Sequence, residues 1–410
     1  MVPNGWEVKQ LDNICSKPIS YGIVQTGPDV ANGIPCIRVV DLSKNDMNIP
    51  DMIKTTDEIH QSYKKTILQG NELVMALRGE IGLVKLVPNH LVGANITRGI
   101  ARLAPQENIV DSKFLLWAMR SYKVKKDLTR KSGGSALQEI SLTALRKVEV
   151  SVPPLPEQQK IAKILFTWDK AISTTERLID NSTLQKKALM QQLLTGKKRL
   201  LDESGKRFEG EFNQHRLSEL VNIDKKSLGK NTPENYEFEY ISLSDVSTGT
   251  ISKSLERHIF SSAPSRARRI VRENDLLLAT VRPNLKGFAK VRKEHDGFVA
   301  STGFAVLTAK KDVSSDYVYH YLFSHHLTGQ INALVVGSNY PAINSSDVGS
   351  LKILCPSLKE QQKIATVLTN ADREIELLEQ QLAGLQQEKK ALMQVLLTGK
   401  KRVLVDGEVA

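Results

Sequence analysis

Cysteine is scarce in this chain of 410 residues, with three in all. Cys15, Cys36 and Cys355 lie far apart and are odd in number. They fit neither a disulfide framework nor a zinc site, and they point to a reducing cytoplasm. No apolar run approaches the roughly 20 residues that a membrane-spanning helix needs. The opening Met1-Val2-Pro3-Asn4-Gly5-Trp6-Glu7 lacks the pattern of a secretory signal. Cofactor signatures are missing as well: there is no Gly-x-Gly-x-x-Gly and no Gly-x-x-x-x-Gly-Lys-Ser/Thr. The Asn-Pro-Pro-aromatic or Asp-Pro-Pro-aromatic tetrad of an amino-methyltransferase is absent. No histidine–cysteine cluster has metal-ligand spacing. His258, His295, His320, His325 and His326 of the second half have no counterparts in the first. The chain therefore reads as a recogniser without a catalytic residue set, a metal site or a cofactor of its own.

What is present is an internal repeat, the feature to be read first. The segment from Lys186 to Arg199 recurs from Lys389 to Arg402, with Gln192 against Val395 the one difference. Glu157-Gln158-Gln159-Lys160-Ile161-Ala162 recurs from Glu360 to Ala365 at the same offset of 203. Weaker matches continue upstream. Asn71 to Ala76 parallels Asn274 to Ala279, Cys36 to Leu42 parallels Tyr240 to Val246, and Thr97 to Leu103 parallels Ser301 to Leu307. Each half is thus a globular segment followed by one long helix. The helices stayed alike while the globular segments diverged, as suits two readers of different ligands on one symmetric frame. The net charge of +12 favours a polyanionic partner, nucleic acid or an anionic membrane.

Proline precedes both helices, as Pro153-Pro154-Leu155-Pro156 and as Pro356, and Gly196 and Gly399 stop them. The first runs from about Glu157 to Leu194, a rod of roughly 55 Å. Its apolar residues alternate in steps of four and three: Ile161, Leu165, Trp168, Ile172, Thr175, Ile179, Ser182, Lys186, Leu189, Leu193. The second repeats the line as Ile364, Leu368, Ala371, Ile375, Leu378, Leu382, Leu385, Lys389, Leu392, Leu396. This is a coiled-coil seam, interrupted at matching places by Lys186 and Lys389. Each lysine either fixes register or snorkels to water. The natural partner of each rod is the other, packed antiparallel or parallel.

The chain divides into a globular segment 1–152, a helix 153–199, a polar linker 200–211, a second globular segment 212–355, a second helix 356–402 and a tail 403–410. The globular segments are of mixed α and β type. Strands are expected at Cys36–Val40, Leu73–Leu77, Gly82–Val87, Gly99–Leu103 and Val148–Val152, with one helix near Asp111–Tyr122 and its match at Ser315–His325. Basic residues gather in turns: Arg78, Arg98 and Arg102, then Lys123, Lys125, Lys126, Arg130 and Lys131, and in the second half Arg266, Arg268, Arg269, Arg272, Arg282, Lys286, Lys290 and Arg292. Such clusters neutralise phosphates, and arginine reads guanine edges. Singly, each also reads as solvated surface. The loops Lys131-Ser132-Gly133-Gly134-Ser135 and Val336-Gly337-Ser338-Asn339-Tyr340 occupy equivalent positions. Glycine and serine there would let backbone approach a phosphate, and equally they make plain turns. The candidate DNA contacts are Arg78, Arg98, Lys131, Ser132, Ser135, Arg266, Arg268, Arg269, Arg282, Lys286, Asn339 and Tyr340.

Together these features resemble the specificity subunit of Type I restriction-modification systems. The likeness is carried by Pro153 to Ala162, Trp168-Asp169, Leu193-Leu194-Thr195-Gly196-Lys197, Pro3-Asn4-Gly5-Trp6-Glu7, Leu77-Arg78-Gly79-Glu80-Ile81-Gly82 and Gly337 to Ile343. In the second half Ser357-Leu358-Lys359 replaces Pro154-Leu155-Pro156, and Ala371 replaces Trp168. The resemblance implies two target recognition domains on an antiparallel coiled coil with pseudo-twofold symmetry. It also implies double-stranded DNA as ligand, two modification subunits that use S-adenosylmethionine, and restriction subunits that use ATP and magnesium. The alternatives are a stand-alone DNA-binding regulator and a self-sufficient DNA methyltransferase or nuclease. Co-purification of a methylating partner separates them.

Overall fold

A computed structural model describes residues 2–133, 138–335 and 341–404. The chain forms two compact units, Met1–Glu176 with Gln381–Ala410, and Arg177–Gln380. Two helices of 39 residues, Leu155–Leu193 and Leu358–Leu396, each give part of their length to either unit. Pro156 sits in the first turn of the first helix, where a missing N–H goes unneeded.

In the first unit one antiparallel sheet runs in the order Ser20–Tyr21, Ile100–Leu103, Leu73–Ala76, Val84–Leu86. A second holds Ile53–Thr55, Ile34–Ile37 and Asn95–Ile96, the last pair parallel. Glu7–Gln10 pairs with Glu149–Val152. The second unit repeats the plan: Val221–Ile223, Phe304–Ala309, Leu276–Ala279 and Phe288–Lys290 form one sheet. Glu256–Ile259, Glu237–Ile241, Val299–Ser301 and Ala267–Ile270 form the other, and Asn213–Arg216 pairs with Lys352–Cys355.

The strand Leu73–Ala76 is buried along its whole length because it has a core on each face. Leu73 and Met75 join Phe114, Trp117 and the helix residues Ile161 and Leu165. Val74 and Ala76 join Ile37, Leu42, Ile96 and Ile100. Leu276–Ala279 divides in the same way. Leu276 and Leu278 meet Tyr317, Ile364 and Leu368, while Leu277 and Ala279 meet Ile241, Val271 and Ala300.

Two local expectations are corrected. The run from Cys36 does not stay extended to Val40. Asp41 accepts the Arg38 backbone N–H (2.8 Å) and turns the chain into a helical turn at Val39–Leu42. Lys123, Lys125, Lys126, Arg130 and Lys131 lie not in a turn but on the helix Tyr122–Lys131, started by the Ser121 hydroxyl, which accepts from Val124 N. The preceding helix is Ser112–Arg120, capped by Asp111, and its match is Ser315–Leu322, capped by Ser314.

The repeated motifs meet each other. In the first unit Glu157, 2% exposed, accepts both Arg402 Nε (2.7 Å) and Nη2 (2.8 Å), and also Trp6 Nε1 (3.1 Å). In the second, Glu360, 0% exposed, accepts Arg199 Nε and Nη2, both at 2.6 Å. Lys389 pairs with Asp169 in the first unit, and Lys186 with Asp372 in the second. In both units one helix therefore starts where the other ends, so the paired stretches run antiparallel. The seam lysines fix register through an acid on the facing helix. Gln158 and Gln361 anchor each helix start. Gln158 accepts Asp111 N (2.8 Å) and donates to Pro153 O (2.8 Å). Gln361 accepts Ser314 N (2.9 Å) and donates to Pro356 O (2.9 Å).

The surroundings of the two lysines differ. Lys389 Nζ lies 4.5 Å from the Trp117 ring centroid. The place of Trp117 is taken in the second unit by His320, 2% exposed, whose Nε2 shares a hydrogen bond with Thr369 Oγ1 (2.9 Å). Burial pushes its pKa down to about 4, with Asp372 opposing and Lys186 assisting. Unfolded, the ring titrates near 6.5, so below that pH the unfolded state binds more protons. The neutral ring's contribution is complete above pH 6.5 and is lost as pH falls toward 4, by roughly 3 kcal/mol. Denaturant melts at pH 7 and 4.5 should show this loss in the parent and a smaller one in His320→Gln. Parallel losses would exclude His320 as the cause.

Candidate nucleic-acid interface

The first unit carries a cavity of about 770 Å³ with three guanidinium groups on its wall, Arg38, Arg78 and Arg98. Among the described lining residues Glu139 is the one carboxylate. Arg78 and Arg98 are placed by backbone pairing. Arg78 follows the buried strand, where Leu77 N donates to Gly99 O (2.8 Å). Arg98 leaves the end of Asn95–Ile96 with its N–H on Ile23 O (2.8 Å). Arg38 is clamped by Asp41, which accepts Nε and Nη2 at 3.0 Å each, and Nη2 also donates to Asp51 O (2.7 Å). The Asp41 carboxylate pushes the Arg38 pKa up. Sequence reasoning missed Arg38 by reading it as mid-strand. The acid three residues later was the available signal.

The flanks of the Gly/Ser loop close on this cavity. Gly133 and Glu139 exchange backbone hydrogen bonds at 3.0 Å, and Ile140 N donates to Leu77 O (2.9 Å). Ser135 lies outside the described residues. Lys131 pairs with Asp127 (2.7 Å) and Ser132 Oγ donates to Thr129 O (2.6 Å), so both are engaged locally.

In the second unit the places of Arg38, Arg78 and Arg98 hold Ser242, Val281 and Thr302. The chain from Pro341 onward pairs as its first-unit counterpart does, with Ile343 N on Thr280 O (2.9 Å) and Arg282 N on Pro341 O (2.7 Å). Asn339 and Tyr340 lie outside the described residues. Arg282 is exposed and Lys286 half-buried, on the turn before Phe288–Lys290. Arg266 is exposed beside the strand Ala267–Ile270, and its carbonyl accepts Thr302 N (2.8 Å). Arg268 lies over Phe260, 4.9 Å from the ring centroid, and Arg269 pairs with Asp224 (2.9 Å). These last two guanidinium groups are therefore tied into the fold.

Of the seam residues, Ile161, Leu165 and Leu396 are buried in the first unit's core and Leu193, Ile364 and Leu368 in the second's. Trp168, Ile172, Leu189, Ile375, Leu382 and Leu392 are half-buried along the helices. Among the described residues no group of His, Cys, Asp and Glu side chains could hold a metal ion, and no helix is long and apolar enough to cross a membrane. Burial pushes the Cys36 and Cys355 thiols up to about 11.

The family model of the Type I restriction modification DNA specificity domain matches residues 3–181 and again 209–387. The specificity subunit of the Type I restriction enzyme EcoBI from Escherichia coli is 27% identical over 47% of the chain, an alignment spanning 41% of that protein. The specificity subunit of MjaVIII from Methanocaldococcus jannaschii is 25% identical over 74% of the chain and 73% of its own length. In fold, the Type I restriction-modification S subunit of M. genitalium superposes with a TM-score of 0.60 at 15% identity, covering 97% of both chains.

Proposed function

The chain belongs to the Type I restriction modification DNA specificity family, and from that premise we propose that its two units read the two halves of a bipartite, asymmetric DNA site. One observation carries this reading. Equivalent places on two matching frames hold Arg38, Arg78 and Arg98 in one unit and Ser242, Val281 and Thr302 in the other. Frames that repeat and reading surfaces that differ are what two unlike half-sites require. Segments 1–152 and 212–355 are the recognition domains in this reading, and the two long helices dock two modification subunits. The arginine-lined cavity of the first unit suits the phosphate and guanine edges that duplex DNA offers. S-adenosylmethionine, ATP and magnesium are assigned to the partner subunits, and this chain to recognition without catalysis.

Methylation mapping in a host that expresses the chain with its modification subunit should return two short blocks separated by unread bases. A single continuous block would refute the bipartite reading. The purified chain with S-adenosylmethionine and DNA should transfer no methyl group until that subunit is added. Methylation by the chain alone would favour the self-sufficient enzyme, and tight specific binding with no methylating partner would favour the regulator.

A further inference from the structure

Two basic residues of the second unit hold a backbone conformation that their side chains disfavour. Arg282 (φ 48°) and Lys286 (φ 54°) bracket the short turn Pro283–Leu285, both in the left-handed region. The other non-glycine residues with positive φ among the described residues are Asn71, Asp224, Asn274 and Asp312. Asparagine and aspartate tolerate this region because their short polar side chains bond locally. Arginine and lysine are not among the residue types enriched there.

The first unit builds the corresponding turn, one residue shorter, from glycine. Gly79 (φ 72°) stands at the place of Arg282 and Gly82 (φ 83°) at that of Lys286. The flanking strands confirm the match, since Met75 faces Val84 as Leu278 faces Phe288. Glycine forms such a turn without strain. Its replacement by two cations is a local conflict between sequence and backbone, the kind found at functional positions.

The replacement also moves the guanidinium along the turn. In the first unit Arg78 precedes Gly79 and lines the cavity. In the second, Val281 takes the place of Arg78 and the arginine stands one residue later. Its backbone N–H on Pro341 O fixes the turn to the chain leaving the Gly/Ser loop.

We propose that the turn from Arg282 to Lys286 determines what the second unit reads. Arg282 donates to the edge of a guanine in the major groove, a match for its planar fork, and Lys286 contacts the adjacent phosphate as a point charge. The proposal rests on the DNA-reading function above.

The test separates recognition from folding. The full-length parent, Arg282→Gly and Lys286→Gly are each melted, and each, assembled with its modification subunit, is used to enrich a pool of random-sequence duplexes. Both variants should melt no lower than the parent, because glycine suits the backbone. Arg282→Gly should lose one guanine position in one block, keep the other block, and bind the parent's selected duplex about tenfold or more weakly. Lys286→Gly should keep both blocks while its salt slope falls by about one. Retention of both blocks at parental affinity by Arg282→Gly would overturn the proposal, as would a lower melting temperature with both blocks lost. If the parent itself selects no two-block sequence, the reading of the units as two readers fails, and the proposal with it.

Discussion

Replacing Arg199 with alanine is expected to cost the second unit about 3–5 kcal/mol. Glu360 is wholly buried, and both of its hydrogen bonds from Arg199 are short and charge-assisted. Without the guanidinium the buried carboxylate loses its cation and both hydrogen bonds. Arg402→Ala in the first unit should cost less, because Trp6 Nε1 still donates to Glu157. Combining Arg199→Ala with Glu360→Gln should recover part of the loss, since the uncompensated charge is then gone. Denaturant unfolding of the full chain measures all three. A loss under about 1 kcal/mol for the single variant, or no recovery in the double, would show that this pair does not hold the helix ends.

A chain of residues 1–205 is expected to form a symmetric dimer. In the first unit Ile161, Ala162 and Leu165 pack against Leu396 and Leu397 of the other helix. Leu193 and Leu194 are the same residue types at the matching positions, and Arg199 matches Arg402. A second copy of the half-chain can therefore supply the helix end that the first one lacks, pairing its Arg199 with the first copy's Glu157. Closed twofold pairing is the common outcome of such self-complementary surfaces. Thr175 and Ser182 leave this seam less apolar than the native one, so the dimer should be the weaker pairing. With the modification subunit it should recognise an inverted repeat of one half-site. Arg199→Ala removes both ion pairs at once and should leave a monomer. Sedimentation reads the assembly and methylation mapping reads the site. A half-chain that stays monomeric at micromolar concentration, or that prefers direct repeats, would contradict the antiparallel pairing.

The helices were legible in the sequence because their signals are local. Proline before, glycine after, apolar steps of four and three, and a near-identical second copy leave little freedom. The sequence did not say what the repeated polar residues do. Glu157 and Arg402 are 245 positions apart, and only folding brings them together. The recognition segments were legible in outline alone. The strands at Leu73 and Leu276 follow from unbroken apolar runs, whereas Arg38 was hidden in one and needed its bonds to Asp41 to stand out. Arg268 and Arg269 looked like their neighbour Arg266. Phe260, in the turn after Glu256–Ile259, and Asp224, just past Val221–Ile223, set them apart only once the chain is folded. The left-handed backbone at Arg282 and Lys286 has no sequence signature, since Gly79 and Gly82 hold the corresponding, shorter turn with different residues.

The strand with a core on each face makes each unit a building with a bulkhead. Residues on the helix side share one compartment, and residues beneath the arginine cavity share another, with four buried residues of backbone between them. Substitutions in separate, independently packed compartments tend to add rather than interfere. A lineage can therefore remodel the chamber that meets the ligand while the chamber that meets the rods stays closed. Variation of target need not be purchased with loss of assembly.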